Sequence, residues 1–210
     1  MSDSVTWPSF KRDLVAILRG VRPEEIEAIT EALVEEAFPA IEVPLNSPDA
    51  FRSIEIIAKR FGSDVLIGAG TVLSVEACDR VANAGGRLMV SPNVDPNVIR
   101  RACDHRMVTL PGVFTPTEAL LALRCGASAL KFFPAGALGP SGISAITAIL
   151  PKDTVVGAVG GVAEDIFAAF ARIGVRTFGL GSSLYRPGDT AQTVRARAIL
   201  TVEAYDKAFS

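Results

Sequence analysis

Histidine is almost missing from this chain: His105 is the only one in 210 residues. The three cysteines, Cys78, Cys103 and Cys125, are odd in number and lack metal-ligand spacing, so neither a disulfide framework nor a zinc site is expected. One histidine and no serine nucleophile motif also leave a Ser-His-Asp triad without its parts. There is no excess of charge. Twenty-one Lys and Arg stand against 23 Asp and Glu, interspersed, for a net charge of −2, which leaves no electrostatic footprint for nucleic acid. No run approaches the ~20 apolar residues that span a bilayer, and the opening "MSDSVTWPSFKRD" has no apolar signal core. The expectation is a soluble, cytoplasmic chain without membrane contact. With no linker or low-complexity tract, residues 1–210 read as one domain.

What is present is a repeat of short β-rich runs. They are "LVAILRG" 14–20, "AIEVPL" 40–45, "VLIGAG" 65–70, "LMVSPN" 88–93, "VTLPGV" 108–113, "ALKFFP" 129–134, "VVGAVGG" 155–161 and "TFGLGSS" 177–183. Between them, stretches such as "PEEIEAITEALVEEA" 23–37 and "SVEACDRVANAG" 74–85 carry apolar residues at helical spacing. Start and stop signals bracket the helices: Pro23 with acidic residues behind it, Ser74 before Glu76, and Gly85, Gly126 and Gly174 at the ends. Eight near-continuous apolar strands alternating with helices predict a parallel sheet closed as a (β/α)₈ TIM barrel, of the α/β class.

In such a barrel, polar residues at the C-terminal ends of strands converge on one mouth. This chain supplies Arg19 closing the first strand, Glu42 in the second, Thr71 after the third, Ser91, Pro92 and Asn93 at the end of the fourth, and Lys131 in the sixth. Glu42 and Lys131 are charges inside apolar strands. A silent barrel ion pair or a snorkelling lysine accounts for them without chemistry. A desolvated lysine near another cation, however, has a lowered pKa and attacks ketones to form a Schiff base, with a carboxylate such as Glu42 moving the protons. The turns "VGGV" 159–162 and "LGSS" 180–183 fit a phosphate site, where glycines let backbone N–H groups approach, a short helix N-terminus adds polarity, and Ser182 and Ser183 add hydroxyl donors. Tight turns alone also explain those glycines. The Arg19 fork suits a carboxylate, His105 reads as a solvated residue without a catalytic role, and the cysteines as small buried hydrophobes.

"LVAILRG", "AIEVPLNSP", "LIGAGTVL", "VSPN", "ALKFFPAGALGP", "AVGGV" and "GLGSSLY", in this order across nearly the whole chain, resemble the bacterial 2-keto-3-deoxy-6-phosphogluconate and phosphogalactonate aldolases. The resemblance implies a (β/α)₈ barrel, a homotrimer, and a retro-aldol cleavage that uses neither metal nor cofactor. It assigns the Schiff base to Lys131, acid/base work to Glu42, the pyruvyl carboxylate to Arg19 and Thr71, and the lining of that pocket to Pro92. The phosphate falls to Gly160, Gly161, Gly181 and Ser182. "EVPLNSP" 42–48 and Val159 resemble the galactonate branch, whereas the gluconate enzymes resemble "EVTLRT" and carry threonine before the glycines. Valine cannot bond a C4 hydroxyl, so Val159 is the candidate for epimer selectivity. "FFPAGALG" departs from that branch's more usual "IFPSSAFG", since Ala135 and Gly136 lack hydroxyls. The implied substrate is 2-dehydro-3-deoxy-6-phosphogalactonate, split into pyruvate and glyceraldehyde 3-phosphate. A gluconate-type or 4-hydroxy-2-oxoglutarate aldolase, a non-catalytic phosphate-binding barrel, and an isomerase barrel are the competing readings.

Overall fold

In the computed structural model, which describes residues 4–210, eight parallel strands close into a barrel. The strands are β1 (Leu14–Ile17), β2 (Ala40–Pro44), β3 (Leu66–Gly70), β4 (Leu88–Ser91), β5 (Val108–Val113), β6 (Leu130–Phe132), β7 (Val156–Val159) and β8 (Thr177–Leu180). Each pairs with the next, and β8 returns to β1 through Leu14 to Phe178 and Ala16 to Leu180. The helices are α1 (Pro23–Glu35), α2 (Ala50–Phe61), α3 (Val75–Asn83), α4 (Pro96–Asp104), α5 (Pro116–Arg124), α6 (Ala135–Thr147), α7 (Phe167–Ala171) and α8 (Ala191–Phe209). The expected (β/α)₈ fold is the observed one.

Helix limits follow local chemistry. The Ser74 hydroxyl accepts from the Ala77 amide at 3.1 Å to start α3. Thr115 and Glu118 form a reciprocal capping box ahead of α5, with Pro116 in the first turn. α6 breaks at Gly139, with φ 64° and ψ 172°, immediately before Pro140, which lacks the N–H that a continuous helix needs. α7 is short and follows a 3₁₀ turn at Glu164–Ile166.

Each strand is buried on both sides, yet the two sides differ. Leu14, Ala16, Ile41, Val43, Ile67, Ala69, Phe132, Phe178 and Leu180 join one large core with helix residues such as Ile26, Leu33 and Ile54. The alternate positions Val15, Ala40, Leu88, Val90, Val108, Leu110 and Ala129 form a second cluster around Trp7. Val15, Ala40, Leu88, Val108 and Ala129 sit at or near the N-terminal ends of their strands, with Val90 and Leu110 one layer further in, so the segment carrying Trp7 stoppers that end of the barrel. Burying a tryptophan removes roughly 150–250 Å² from water.

Side chains alternate along a strand. Glu42 lies two residues beyond Ala40 and Lys131 two beyond Ala129, which places both inside the barrel, above the apolar stopper. Several strands are shorter than the runs that predict them. Arg19 therefore lies beyond β1 in a turn rather than closing the strand, and Pro92 and Asn93 lie past the end of β4. Among the described residues no helix is long and apolar enough to cross a membrane.

Candidate active site

Lys131 and Glu42 are 6% and 3% exposed. A lysine so enclosed cannot snorkel. Room for it comes from its neighbours, because Lys131 stands in register with Gly112 on β5 and Gly157 on β7. Burial dominates the titration of both groups. It lowers the Lys131 amine from its usual range to about 8, against the pull of Glu42 and with help from the Arg19 charge. Burial likewise raises the Glu42 carboxyl to about 7, although Lys131, Arg19 and the Gly70 amide all favour its charged form. No ion pair within 4 Å joins them among the described residues, and Glu42 Oε2 has no hydrogen-bond partner. The arrangement is a desolvated amine beside a carboxyl group that holds its proton near neutral pH. The Lys131 Nζ also lies 5.0 Å from the centre of the Phe133 ring.

The mouth carries the other expected residues. Thr71 has φ 57°, a left-handed conformation in which a β-branched residue is strained by about 1–3 kcal/mol. Ser91 turns the chain at Pro92 by donating to the Asn93 carbonyl at 2.7 Å. Gly112 leaves space for this turn, since a β carbon there would overlap the Pro92 backbone. On the opposite side, Arg19, Phe133, Val159, Gly160, Gly161 and Ser182 line a cavity of about 200 Å³, which Gly181 also borders. The barrel's closure explains this grouping, because β8 pairs with β1 and brings Arg19 beside the two glycine turns. Thr71 and Pro92 do not line that cavity.

Gly160 and Gly161 have φ 83° and 71°, which glycine adopts without the steric cost a side chain brings. The Gly160 carbonyl accepts from the Gly136 amide at 2.9 Å, tying the turn to the start of α6. Gly181 lies in the bend just past β8 with nothing within 4 Å of where a β carbon would sit, so its contribution is open space. Two expectations need correction. No helix begins at the glycines after β8; the chain makes a turn in which the Leu184 and Tyr185 amides both donate to the Gly181 carbonyl at 2.9 Å. Ser183 does not line the cavity, and its buried hydroxyl has no partner among the described residues.

His105 is also placed differently from its reading as a solvated residue. It ends α4, half-buried, with Nε2 2.6 Å from Asp79 on α3, an oxygen that Arg101 also binds at 2.5 Å. The ionised Asp79, held at about 2 by these two partners, ties two helices together outside the barrel. The three cysteines are free and buried, as expected.

Sequence reasoning passed over Asn46 and Ser47. The Arg19 Nη1 donates to Asn46 Oδ1 at 2.6 Å, and the Gly20 amide donates to the Ser47 hydroxyl at 2.8 Å. Two side chains of the β2–α2 connection thus fix the turn that aims Arg19. Both lie in the quoted "EVPLNSP", but their partners are in another repeat and nothing in spacing links them.

The sequence matches the family described as KDPG and KHG aldolase over residues 10–192. The chain belongs to that family. Its members are class I aldolases, lyases that work through a Schiff base, and this aldolase carries a buried lysine inside the barrel to match. A protein of Rhizobium meliloti (strain 1021) named as a probable 2-dehydro-3-deoxy-6-phosphogalactonate aldolase is 60% identical over 207 residues, covering 99% of this chain and 98% of its own. The 2-dehydro-3-deoxy-6-phosphogalactonate aldolase of Escherichia coli (strain K12) is 46% identical, over 94% and 97% of the two chains. The solved structure described as native KDPGal superposes with a TM-score of 0.94 at 45% identity, covering 97% of this chain and 98% of that one.

Proposed function

We propose that this aldolase cleaves 2-dehydro-3-deoxy-6-phosphogalactonate into pyruvate and D-glyceraldehyde 3-phosphate, with Lys131 as nucleophile and Glu42 as acid/base. The observation that carries the reading is the Lys131 amine, buried in the barrel with its pKa lowered to about 8, beside the buried Glu42 carboxyl raised to about 7. The neutral amine adds to the C2 ketone, and Glu42 supplies the proton that turns the carbinolamine oxygen into water, leaving an iminium. Glu42, now ionised, takes the C4 hydroxyl proton. The C3–C4 bond pair moves to the iminium nitrogen, C4 becomes the aldehyde carbon, and the remaining enamine is protonated at C3 and hydrolysed to pyruvate and free Lys131.

In this reading the phosphate takes the turns at Gly160, Gly161, Gly181 and Ser182, while Arg19 and Thr71 hold the carboxylate beside Pro92. Asn46→Ala frees Arg19 to swing, so the pyruvate concentration needed to trap Lys131 with borohydride is expected to rise about tenfold, the worth of one charge-assisted hydrogen bond. Unchanged trapping with a raised KM for the phosphorylated sugar acid would move Arg19 to the phosphate instead.

Val159 closes the end of β7, 7% exposed, and supports the galactonate epimer because it offers no hydrogen bond to a C4 hydroxyl. The test is pyruvate release from the two C4 epimers side by side with chelator present. The galactonate epimer is expected to be cleaved preferentially, and Val159→Thr to shift the ratio toward the gluconate epimer by about tenfold. Preference of the unaltered protein for the gluconate epimer would overturn the substrate while keeping the lysine chemistry.

A homotrimer and a cytoplasmic setting belong to the same proposal. Leu73 and Phe114, in the connections after β3 and β5, are 55% and 40% exposed, apolar surface that a second copy would cover. Sedimentation equilibrium is expected to return three chains, and a monomer at micromolar concentration would refute the trimer.

A further inference from the structure

Gly70 is the last residue of β3, paired with Pro44 where Gly68 pairs with Glu42. The Glu42 side chain leans toward the barrel mouth, so that its carboxyl group lies against the Gly70 Cα. A β carbon on Gly70 would overlap Glu42 Oε1, Oε2 and Cδ together. The backbone does not call for glycine here: Gly70 is a regular strand residue and is absent from the positive-φ glycines. Glycine inside a strand costs stability through chain entropy and lost packing. What it supplies at this position is space.

The Glu42 carboxyl is otherwise weakly held. Its Oε2 has no hydrogen-bond partner among the described residues, and the residue is 3% exposed, with no open solvent to retreat into. Packing and the pull of the Gly70 amide therefore set its position, and the bare face of Gly70 is the wall it packs against. We propose that Gly70 is a positioning residue for the aldol cleavage, its missing side chain forming the recess that holds the Glu42 carboxyl in reach of the Lys131 adduct. This inference rests on the reading of Glu42 as the acid/base.

The experiment is a cycle of Gly70→Ala, Glu42→Asp and the double variant, with kcat and KM measured for the phosphorylated sugar acid. Gly70→Ala pushes the carboxyl away by more than an ångström, a misplacement expected to lower kcat about 100-fold. KM is expected to stay within about threefold, because the anion-holding turns are untouched. In the Glu42→Asp background the carboxyl is already withdrawn by one methylene, so adding Gly70→Ala is expected to change kcat less than about fivefold. Equal losses in the two backgrounds would overturn the proposal, since Gly70 would then act on the strand or on Thr71. If Gly70→Ala alone does not fold, folding of the double variant supports the recess and failure of both overturns it. Glu42→Gln separates the two levels. Full activity of that variant sinks the acid/base reading itself, whereas an inactive Glu42→Gln beside a fully active Gly70→Ala sinks only the recess.

Discussion

Lys131→Met is expected to leave a folded barrel that releases no measurable pyruvate, a loss on the order of 10⁴-fold or more, because the other lysines, Lys11, Lys59, Lys152 and Lys207, are all exposed and none is the buried amine inside the barrel. Methionine is long, flexible and apolar, and it replaces a side chain that is 6% exposed, so the cavity stays filled. Folding does not suffer from the charge left behind. Without Lys131, Glu42 loses the largest influence favouring its ionised form, and its already raised pKa rises further, so it stays protonated. Borohydride with pyruvate should add a reduced pyruvyl mass to Lys131 in the unaltered protein and to nothing in the variant. Lys59, exposed on α2, is the internal control. An adduct there, or full activity of Lys131→Met, would end the mechanism.

Glu42→Gln should lower kcat by about 10²- to 10⁴-fold, the usual worth of a positioned acid/base. It should also change the shape of the pH profile, which separates proton transfer from simple damage. In the unaltered enzyme the Lys131–Glu42 pair titrates near 7 and 8, values that belong to the pair. Its reactive form holds one proton. Below about 7 both groups are protonated and the amine is an ammonium; above about 8 both have lost their protons and no acid remains. The kcat/KM profile is therefore expected to be a bell centred between these values. Glu42→Gln removes the carboxylate that favours the ammonium, so the Lys131 midpoint drops below 8 and the alkaline limb disappears. A bell of unchanged shape in the variant would contradict the assignment.

The same pair weighs on stability, with opposite signs on its two sides. The raised Glu42 pKa means the folded state keeps a proton that the unfolded chain gives up, so stability falls as pH rises from 4.5 toward 7. The lowered Lys131 pKa means the unfolded chain keeps a proton that the folded state gives up, so stability rises from 8 toward 10.5. The pair costs most between 7 and 8, where it is catalytically competent. Buried ionisable groups of this kind are retained at the expense of stability that an apolar pair would restore.

Much of this was legible along the chain. Eight apolar runs with helical pattern between them dictate the barrel, because a parallel strand is buried on both faces and needs a helix to return. Lys131 and Glu42 stand out for the same reason: a charge in an otherwise apolar strand has no inexpensive explanation. The residues "VGG" at 159–161 mark their turn by composition alone. Those signals are local, and each survives without knowing what lies across the barrel.

Other parts of the site exist only across strands. Asn46 gains its partner Arg19 because β1 and β2 lie side by side, and His105 meets Asp79 because α3 packs on α4. Arg19 joins the phosphate-side glycines because the sheet closes on itself. The glycines are the sharpest case. Nothing in "GAG" distinguishes a glycine needed for its φ from one needed for its emptiness. Gly70 clears Glu42, Gly112 clears the Pro92 backbone, and Gly179 clears Val159, whose Cγ2 lies 2.6 Å from where a β carbon would stand. A sequence determines which side chains are present and their period along a strand. The volume left for them is set by residues on neighbouring strands, and only closure of the barrel brings those together.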